Sequence, residues 1–181
     1  MSAASAAYIK LAEISVRCRE RALQLPSRQD VVQYWSGIGF LLDGGRYVAP
    51  LEQVSEILQV PPYTRVPGVH HWMKGIANVR GRLMAVMDLT GFLEKSSALQ
   101  EKRRRLLVID QGDLYTGLTV DDVYGIQHFP VTGYSAEPDN IDEAVRPYIQ
   151  GGYEKDGEVW QVFSIEHLAE DPRFLQVART G

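Results

Sequence analysis

Residues 75–89 read GIANVRGRLMAVMDL, a stretch with the form of a β-hairpin. The apolar runs on either side of Arg80-Gly81 predict two antiparallel strands, because glycine accepts the positive φ that a tight turn needs. The second arm, Leu83 to Leu89, is apolar nearly throughout, which predicts a strand buried on both faces. This hairpin is the unit from which the fold can be inferred.

The same pattern returns in the second half of the chain. Residues 151–165 read GGYEKDGEVWQVFSI and superpose on residues 75–89 without gaps. The superposition places Gly157 over Gly81, so that both hairpins have a glycine at the tip. A pattern that repeats at this scale predicts a protein built from two copies of one unit.

A second pair of segments supports the repeat. Residues 48–58, VAPLEQVSEIL, superpose without gaps on residues 117–127, GLTVDDVYGIQ. Two copies of one small β unit predict two similar barrels side by side, because a unit of about 60 to 70 residues is marginal alone. We expect one domain over residues 34–175. Its lobes are built mainly from residues 34–95 and 103–168, either as consecutive segments or with strands exchanged between them.

Short apolar runs between turn residues predict the other strands of an all-β fold. The expected strands are Gly37–Leu42, Arg46–Leu51, Leu106–Asp110, Leu114–Val120, Tyr148–Tyr153 and Val159–Ile165. Between them we expect a short helical turn over Glu52–Leu58 and an acidic, proline-bearing loop over Pro130–Pro147. A short helical piece over Glu166–Arg173 is expected to follow the last strand.

The N-terminal segment has a helical pattern instead. Its apolar positions lie roughly on one helix face, at Ile9, Ala12, Val16 and Leu23. This predicts a helix over about Ala6–Leu25, which Pro26 ends. Residues 1–33 carry five Lys/Arg and three Asp/Glu, a net charge of +2. We interpret them as an N-terminal helical extension that packs on the body or binds a partner; a loosely docked solubilising helix is the alternative.

The composition excludes several classes of protein. The lone cysteine, Cys18, can form neither a disulfide framework nor a four-cysteine zinc site, and a lone thiol fits a reducing compartment. No stretch approaches the ~20 apolar residues of a membrane helix, and no secretory signal pattern opens the chain. We therefore expect a cytoplasmic protein.

The histidines and the known catalytic motifs give no sign of an enzyme. His70 and His71 are adjacent, so their side chains do not converge from an extended segment, and His128 and His167 are isolated. The sequence contains no Gly-x-Ser-x-Gly, P-loop or Gly-x-Gly-x-x-Gly motif. We expect no catalytic residues, no metal and no cofactor.

Two charged clusters are expected to be solvated. The basic tetrad Lys102–Arg105 invites a nucleic-acid interpretation, and a small-barrel nucleic-acid binder is the alternative of another class. However, no aromatic residue interrupts the tetrad and the chain has a net charge of −4, so we interpret it as a linker leading into a strand, with no nucleic acid as partner. Asp121 and Asp122 are expected to be solvated turn residues.

Three motifs resemble those of CheW-like domains. Residues 74–81, KGIANVRG, precede an apolar strand that ends in Asp88-Leu89, where the family usually has Asn-Leu-Arg-Gly and then a strand ending in Asp-Leu. Residues 54–57, VSEI, resemble the family's Val-x-Glu-Ile, and residues 117–123, GLTVDDV, resemble its Gly-hydrophobic-x-Val-Asp-x-Val. The resemblance covers about residues 37–168 and implies two SH3-like barrel lobes side by side.

Further features resemble the PilI-like branch, which belongs to chemosensory systems of type IV pilus twitching motility. They are Arg17-Cys18-Arg19, residues 35–40 (WSGIGF) and residues 67–69 (PGV). The resemblance implies a non-enzymatic scaffold in receptor arrays at the membrane, without direct membrane insertion. It implies two partners, the regulatory domain of a CheA-type histidine kinase and the cytoplasmic tip of a methyl-accepting chemotaxis receptor. An adaptor of flagellar or other chemotaxis and a structural oligomer are the alternatives.

The resemblance singles out Arg80 and Glu56 as partner-binding residues. In the family these two motif residues lie near each other and near both binding surfaces. A guanidinium can pair with a carboxylate through two hydrogen bonds, so we hypothesise a Glu56–Arg80 pair that orients Arg80 towards a partner. The alternative is an exposed ion pair that contributes only about 0–1 kcal/mol of stability.

Four neighbouring residues complete the predicted partner-binding set. Val54 and Ile57 are expected to supply apolar contact surface beside Glu56, with core packing as the alternative. Asn78 and Val79 belong to the same motif as the arginine, and Val79 stands where the family usually has Leu. Asn78 is expected to shape the turn more than to touch a partner.

Overall fold

The structure is a computed structural model that describes residues 10, 13–15, 17, 32–95, 103–112, 114–138 and 140–178. The chain divides into two units, Met1–Val32 and Gln33–Gly181. The described residues at positions 10, 13–15 and 17 are helical. Most of the helix predicted over Ala6–Leu25, with Cys18, and Lys102 of the tetrad lie outside the described residues. In the part of the chain that is described, no helix has the length and apolar character needed to cross a membrane.

The second unit is built mainly from β-strands, as predicted. The strands are β1 (Tyr34–Leu42), β2 (Gly45–Pro50), β3 (Glu56–Gln59), β4 (Met73–Val79), β5 (Arg82–Asp88), β6 (Arg105–Gln111), β7 (Leu114–Val120), β8 (Asp122–Pro130), β9 (Tyr134–Ser135), β10 (Ile149–Lys155) and β11 (Glu158–Phe163). The short helices are α1 (Leu89–Phe92), α2 (Ile165–Glu170) and α3 (Pro172–Leu175), with 3₁₀ turns at Leu51–Gln53, Val131–Gly133 and Arg146–Tyr148.

Each sheet combines strands from both halves of the sequence. The described strands form a five-stranded sheet, β3-β6-β7-β5-β4, and a six-stranded sheet, β8-β1-β2-β11-β10-β9. We name the two sheets, with the segments that close them, lobe 1 and lobe 2. The β1–β2 hairpin joins lobe 2 and the β6–β7 hairpin joins lobe 1, so the exchange is reciprocal. Parallel pairs β5–β7 and β2–β11 connect the exchanged hairpins to the rest of each lobe.

In both repeated hairpins one strand passes unusually close to a neighbouring segment at a glycine. Gly75 and Gly151 sit beside a register shift in β4 and β10 and have φ of 156° and 151°. A Cβ on Gly75 would lie 2.2 Å from the carbonyl oxygen of Thr64, and a Cβ on Gly151 would lie 2.4 Å from the hydroxyl of Tyr134. In both lobes glycine therefore lets the strand approach the segment that closes the sheet.

Three strands were not predicted from the sequence, and two of them, β3 and β8, carry the chain from one sheet to the other. The third is the two-residue β9, which lies in the expected loop over Pro130–Pro147. The prediction of a helical turn over Glu52–Leu58 is wrong beyond Gln53, because β3 begins at Glu56. Strand β8 was not predicted, although it is nine residues long. Its side chains alternate between exposed and half-buried, so it lacks the apolar run by which the other strands were identified.

The lobes share one hydrophobic core. Its largest cluster contains Phe40, Tyr47 and Phe163 from lobe 2 and Leu107 and Leu118 from lobe 1. The rings of Phe40 and Tyr47 stack at 5.6 Å, and the ring of Phe163 meets Phe40 edge-on at 5.9 Å. A smaller apolar cluster lies within each sheet. Because the main cluster belongs to both sheets, neither lobe has a complete core of its own.

One residue of the basic tetrad is buried, which the sequence analysis did not predict. Arg104 is only 4% exposed. Its Nη2 lies 2.8 Å from Asp88 Oδ1, and its Nε lies 3.6 Å from Asp121 Oδ1. The neighbouring Arg103 is exposed, and Arg105 begins β6. The interpretation of the tetrad as a solvated linker is therefore wrong for Arg104, which the fold buries because carboxylates balance its charge.

Asp121 is also buried, where a solvated turn residue was expected. It is 4% exposed and lies where the chain crosses from β7 to β8. Its Oδ2 accepts a 2.7 Å hydrogen bond from the backbone N–H of Asp43, and its own N–H donates to Leu41 at 3.0 Å. Asp121 thus fixes the β1–β2 turn to the crossover, whereas Asp122 is exposed as expected.

Asp88 joins three strands of lobe 1 through charge. It pairs with Arg104 and, at 3.0 Å, with the ammonium group of Lys74. Burial favours the protonated carboxyl, but the hydrogen bonds and charges of Arg104 and Lys74 outweigh it and hold the pKa of Asp88 below its usual value. The ionised carboxylate therefore ties the end of β5 to β4 and to the start of β6.

Candidate partner-binding surface

The two residues expected to lead partner binding form an ion pair. The Nη2 of Arg80 contacts Oε1 of Glu56. Glu56 begins β3, and Arg80 lies at the tip of the β4–β5 hairpin. The side chain of Arg80 is 76% exposed and that of Glu56 is 28% exposed, so the guanidinium provides most of the accessible surface of the pair. The hypothesised pair is thus present, and its role in binding stays a prediction.

The backbone of the hairpin tip explains how Arg80 is presented. Arg80 and Gly81 have φ of 52° and 85°, the signs expected of a type I′ turn. The side-chain Oδ1 of Asn78 accepts a 2.8 Å hydrogen bond from the N–H of Gly81 and holds this turn. The sequence therefore places an arginine at a strained, exposed position that most hairpins give to Asn, Asp or Gly.

Exposed apolar side chains lie on β3 and on the β4–β5 hairpin, the two elements that carry the ion pair. Ile57 follows Glu56 on β3, and Ile76 and Leu83 lie on the hairpin that carries Arg80; all three are exposed, Leu83 by 71%. Leu83 pairs with Asn78 across the ladder, and Ile76 lies two residues before Asn78, so their side chains share the outer face. The sequence analysis named Ile57 but missed Ile76 and Leu83, whose outward positions follow from the alternation of the hairpin.

Two residues of the predicted binding set are buried. Val54 and Val79 are each 9% exposed. Val54 belongs to the core that both lobes share, and Val79 belongs to the apolar cluster of lobe 1. The expectation that they provide contact surface is therefore wrong. Val54 follows the alternative of core packing, and Val79 keeps an apolar side chain where the core requires one.

A second arginine beside the hairpin tip is held more firmly. Arg82 Nη1 lies 2.6 Å from Asp110 Oδ2, and its guanidinium carbon lies 3.8 Å above the ring of Tyr115. The hydrogen bond from Arg82 also lowers the pKa of the Asp110 carboxyl. Because two partners occupy Arg82, its guanidinium has less capacity than that of Arg80 to meet another protein.

The equivalent tip of lobe 2 has the opposite charge. The repeat places Asp156 over Arg80 and Gly125 over Glu56. Asp156 and Gly157 have φ of 55° and 77°, so the turn itself is the same. Glycine at position 125 offers no side chain that could pair with the tip residue. The charged pair is therefore a property of lobe 1 and not of the repeated hairpin.

No metal centre is evident among the described residues, in which no three His, Cys, Asp or Glu side chains lie close enough to hold an ion. His71 Nε2 lies 3.1 Å from the carbonyl oxygen of Gly91, and His128 Nδ1 lies 2.7 Å from Ser36 Oγ. These contacts belong to different lobes. His71 and His128 therefore act as separate hydrogen-bonding groups.

Comparisons with known proteins agree with the fold. The model of the CheW-like domain matches residues 36–173. Protein PilI of Pseudomonas aeruginosa is 45% identical over 178 residues, 98% of this chain and 99% of that protein. Protein FrzA of Myxococcus xanthus is 28% identical over 162 residues, 88% of this chain and 98% of that protein. The crystal structure of the scaffolding protein TtCheW from Thermoanaerobacter tengcongensis superposes with a TM-score of 0.66 at 20% identity, covering 78% of this chain and 96% of that one. The expected two-lobe fold is confirmed.

Proposed function

This chain belongs to the CheW-like domain family, and from that premise we propose that it is a non-enzymatic adaptor that couples a methyl-accepting chemotaxis receptor to a CheA-type histidine kinase. The observation that supports this most directly is the exposed guanidinium of Arg80, held by Glu56 beside exposed apolar side chains. Arginine is enriched among the residues that dominate protein–protein interfaces. The adaptor would act in the cytoplasm, recruited to receptor arrays.

The pathway we propose is the chemosensory control of type IV pilus twitching motility. The support is the 45% identity to Protein PilI along nearly the whole of both chains. Identity to Protein FrzA is lower, at 28%. An adaptor of flagellar chemotaxis is the outcome to expect if this assignment fails.

The Glu56–Arg80 pair sets the geometry of the proposed contact. A guanidinium has five N–H donors in a rigid plane, and the contact with Glu56 occupies only part of them. The remaining donors can meet a carboxylate or a backbone carbonyl of a partner. The exposed Ile57 and Leu83 would exclude water around this contact. An interface of this kind is small, about 1,000 Å² or less, and gives affinities of about micromolar that an array strengthens by multivalency.

The experiment is a calorimetric titration of the full chain against the regulatory domain of each CheA-type kinase of the organism and against receptor-tip fragments. We expect saturable binding that Arg80→Ala weakens by about tenfold, the loss of one or two charge-assisted hydrogen bonds. Arg82→Ala is the matched control, because it removes the same charge from the same hairpin, and it should change the affinity less than about twofold.

Two results would count against the proposal. If no kinase domain and no receptor fragment binds, the chain has the family fold with another role. If binding occurs but Arg80→Ala and Arg82→Ala weaken it equally, the adaptor function stands and the placement of the interface at the Glu56–Arg80 pair is wrong.

A further inference from the structure

Lobe 1 contains a long stretch of sequence without carboxylates. Residues 57–87 include four Lys/Arg, two His and no Asp or Glu, so their net charge is +4. Residues 126–163, which end in the equivalent hairpin of lobe 2, contain two Lys/Arg and seven Asp/Glu, a net charge of −5. The whole chain has a net charge of −4. Such a concentration of positive charge in an acidic protein indicates attraction for an anionic ligand.

Half of the lysines and arginines of this stretch, and both of its histidines, line one cavity. The cavity has a volume of about 340 Å³, at the lower end of the range for small-molecule sites. Its polar and apolar walls are formed by Arg65, His70, His71, Lys74, Tyr63, Val66, Val69 and Met73. None of these lining residues is an aspartate or a glutamate. The cavity therefore presents donors and positive charge to any molecule that enters it.

The fold brings Arg65 and Lys74 together from separate segments. Thr64 and Ile76 exchange two backbone hydrogen bonds of 2.9 Å, which sets the segment of Arg65 alongside β4. In this antiparallel register Arg65 lies opposite Gly75, the residue after Lys74, and Arg65 and Lys74 both line the cavity. Lys74 Nζ contacts Asp88 at 3.0 Å, and an ammonium group has three donors, so two of them are not needed for that contact.

Both histidines of the cavity are held in fixed positions. The ring of His70 stacks on Trp72 at 5.5 Å with an interplanar angle of 6°. The Nε2 of His71 lies 3.1 Å from the carbonyl oxygen of Gly91, and because a carbonyl only accepts, that nitrogen carries the hydrogen. These contacts restrict both rings, and side chains that are already restricted lose less conformational entropy on binding.

We propose that this cavity binds the phosphate group of a small phosphorylated molecule. Arg65 supplies positive charge, and Lys74, although it is paired with Asp88, keeps N–H donors that this contact does not use. Guanidinium and ammonium N–H groups are usual donors to phosphate in proteins. A phosphate group has more acceptor oxygens than a carboxylate and can therefore accept from more of these donors at once. An adjoining cavity that shares His70 and His71 also contains Glu94 and Arg173, whose charges cancel, so the phosphate site is the cavity of Arg65.

The test follows the imidazole C–H signals of the full chain by NMR while inorganic phosphate is added. The sequence has four histidines, and His128 and His167 do not line the cavity, so they serve as internal controls. We expect saturable shifts for His70 and His71 alone, and competition from glycerol phosphate. Absence of saturation, or equal movement of all four histidine signals, would mean an adventitious ion only and would overturn the proposal. Saturable shifts with acetate at the same ionic strength would overturn the phosphate assignment.

A pair of variants separates the cavity from the general charge of lobe 1. Arg65 and Arg82 both lie in the carboxylate-free stretch and both are exposed, but Arg82 does not line the cavity. We expect Arg65→Ala to weaken phosphate binding by about tenfold and Arg82→Ala by less than about twofold. An equal loss in both variants would show diffuse attraction and refute a defined site. The kinase and receptor titrations do not depend on this result.

Discussion

The β4–β5 hairpin of lobe 1 and the β10–β11 hairpin of lobe 2 have the same backbone but different tips. Both contain a register shift beside a glycine and a turn in which both central residues have positive φ. Lobe 1 presents Arg80 at the tip, and lobe 2 presents Asp156. The comparison shows that the repeated sequence pattern determines the strand register and the turn. The single residue at the tip determines whether each lobe presents a positive or a negative charge to a partner.

The lobes differ again where each exchanged hairpin begins. The offset that relates residues 48–58 to residues 117–127 also superposes the strand registers of β1–β2 and β6–β7. By this offset Arg104 corresponds to Trp35. Arg104 makes buried ion pairs, whereas Trp35 stacks on Tyr153 at 5.2 Å. Lobe 1 therefore uses charge at a position where lobe 2 uses aromatic packing.

The largest expected effect on stability comes from replacing Arg104, the charged residue of this comparison. Arg104→Met keeps much of the side-chain volume but leaves Asp88 and Asp121 in the interior without the guanidinium. Removing one partner of a buried ion pair costs about 3–5 kcal/mol. Denaturant unfolding measures this loss in the free energy of unfolding. Adding Asp88→Asn to Arg104→Met should recover part of it, and no recovery would show that packing, not unpaired charge, was responsible.

The next largest effect on stability is expected at Gly75 and Gly151, the glycines beside the two register shifts. A Cβ on Gly75 meets a backbone oxygen at 2.2 Å, whereas a Cβ on Gly151 meets the side chain of Tyr134, which has more freedom to shift. We expect Gly75→Ala to lower the free energy of unfolding by about 3 kcal/mol and Gly151→Ala by about half as much. Thermal or denaturant unfolding of both variants gives the ratio. Equal losses of stability would mean that the backbone of Thr64 and the side chain of Tyr134 resist displacement equally.

A smaller effect concerns the pH dependence of stability that arises from Tyr148 and Asp171 in lobe 2. Tyr148 corresponds to Trp72 of lobe 1, and its hydroxyl donates to Asp171, which also accepts from Arg173. Burial, with the carboxylate of Asp171, raises the pKa of Tyr148 to about 12, and the hydrogen bond from Arg173 leads in lowering the pKa of Asp171 to about 2. Asp171 therefore contributes stability above its usual pKa that is lost as the pH falls towards 2. Tyr148 contributes stability below pH 10 that is lost as the pH rises towards 12.

Two variants test this pH dependence by unfolding at a series of pH values. Asp171→Asn should remove part of the acid decline and cost about 1 kcal/mol at neutral pH, after allowance for solvent screening. Tyr148→Phe should reduce the decline between pH 10 and 12, to which Tyr47 and Tyr153, whose pKa values burial also raises, contribute as well. An unchanged alkaline decline in Tyr148→Phe would mean that another group titrates there.

The smallest effect on stability is expected at the hairpin tips, where binding is the informative readout. Arg80→Asp gives lobe 1 the tip charge of lobe 2, and Asp156→Arg makes the reverse change. Each should alter the free energy of unfolding by less than about 1 kcal/mol, since both sites are exposed. In the calorimetric titration Arg80→Asp should abolish measurable binding and Asp156→Arg should leave it. The opposite pattern would move the interface to lobe 2.

The hairpins could be predicted from the sequence because their determinants are local. Glycine tips and alternating apolar residues lie within about 15 residues of one another, as in residues 75–89. Strands β3 and β8 could not be predicted in this way, because each pairs with a strand from the other half of the chain. Their side chains are exposed or half-buried at nearly all positions, so the apolar pattern that identifies a strand within one segment is weak.

Only part of the candidate site could be predicted from the sequence. The rest depends, like β3 and β8, on contacts between residues that are far apart in the sequence. The Glu56–Arg80 pair followed from the resemblance to the family, and it is present. The burial of Arg104 was missed because its carboxylate partners, Asp88 and Asp121, come near it only after the sheets have formed. The tetrad sequence alone looks the same whether its arginines face solvent or carboxylates. The basic cavity was missed for a similar reason, because adjacent histidines were judged only against each other.

The reciprocal exchange of hairpins has a consequence for synthesis of the protein on the ribosome. Lobe 1 has all its strands once Val120 has left the ribosome, but lobe 2 must wait for Phe163, 43 residues later. At about 5–20 residues per second this delay is roughly 2 to 9 seconds. The β1–β2 hairpin, although it is made first, can pair with β8 once Pro130 has left the ribosome, but it has no β11 to pair with until the end of this delay. The strands that are synthesised first, β1 and β2, therefore belong to the lobe that is completed last. They are the strands most exposed to chaperones or to mispairing between neighbouring chains.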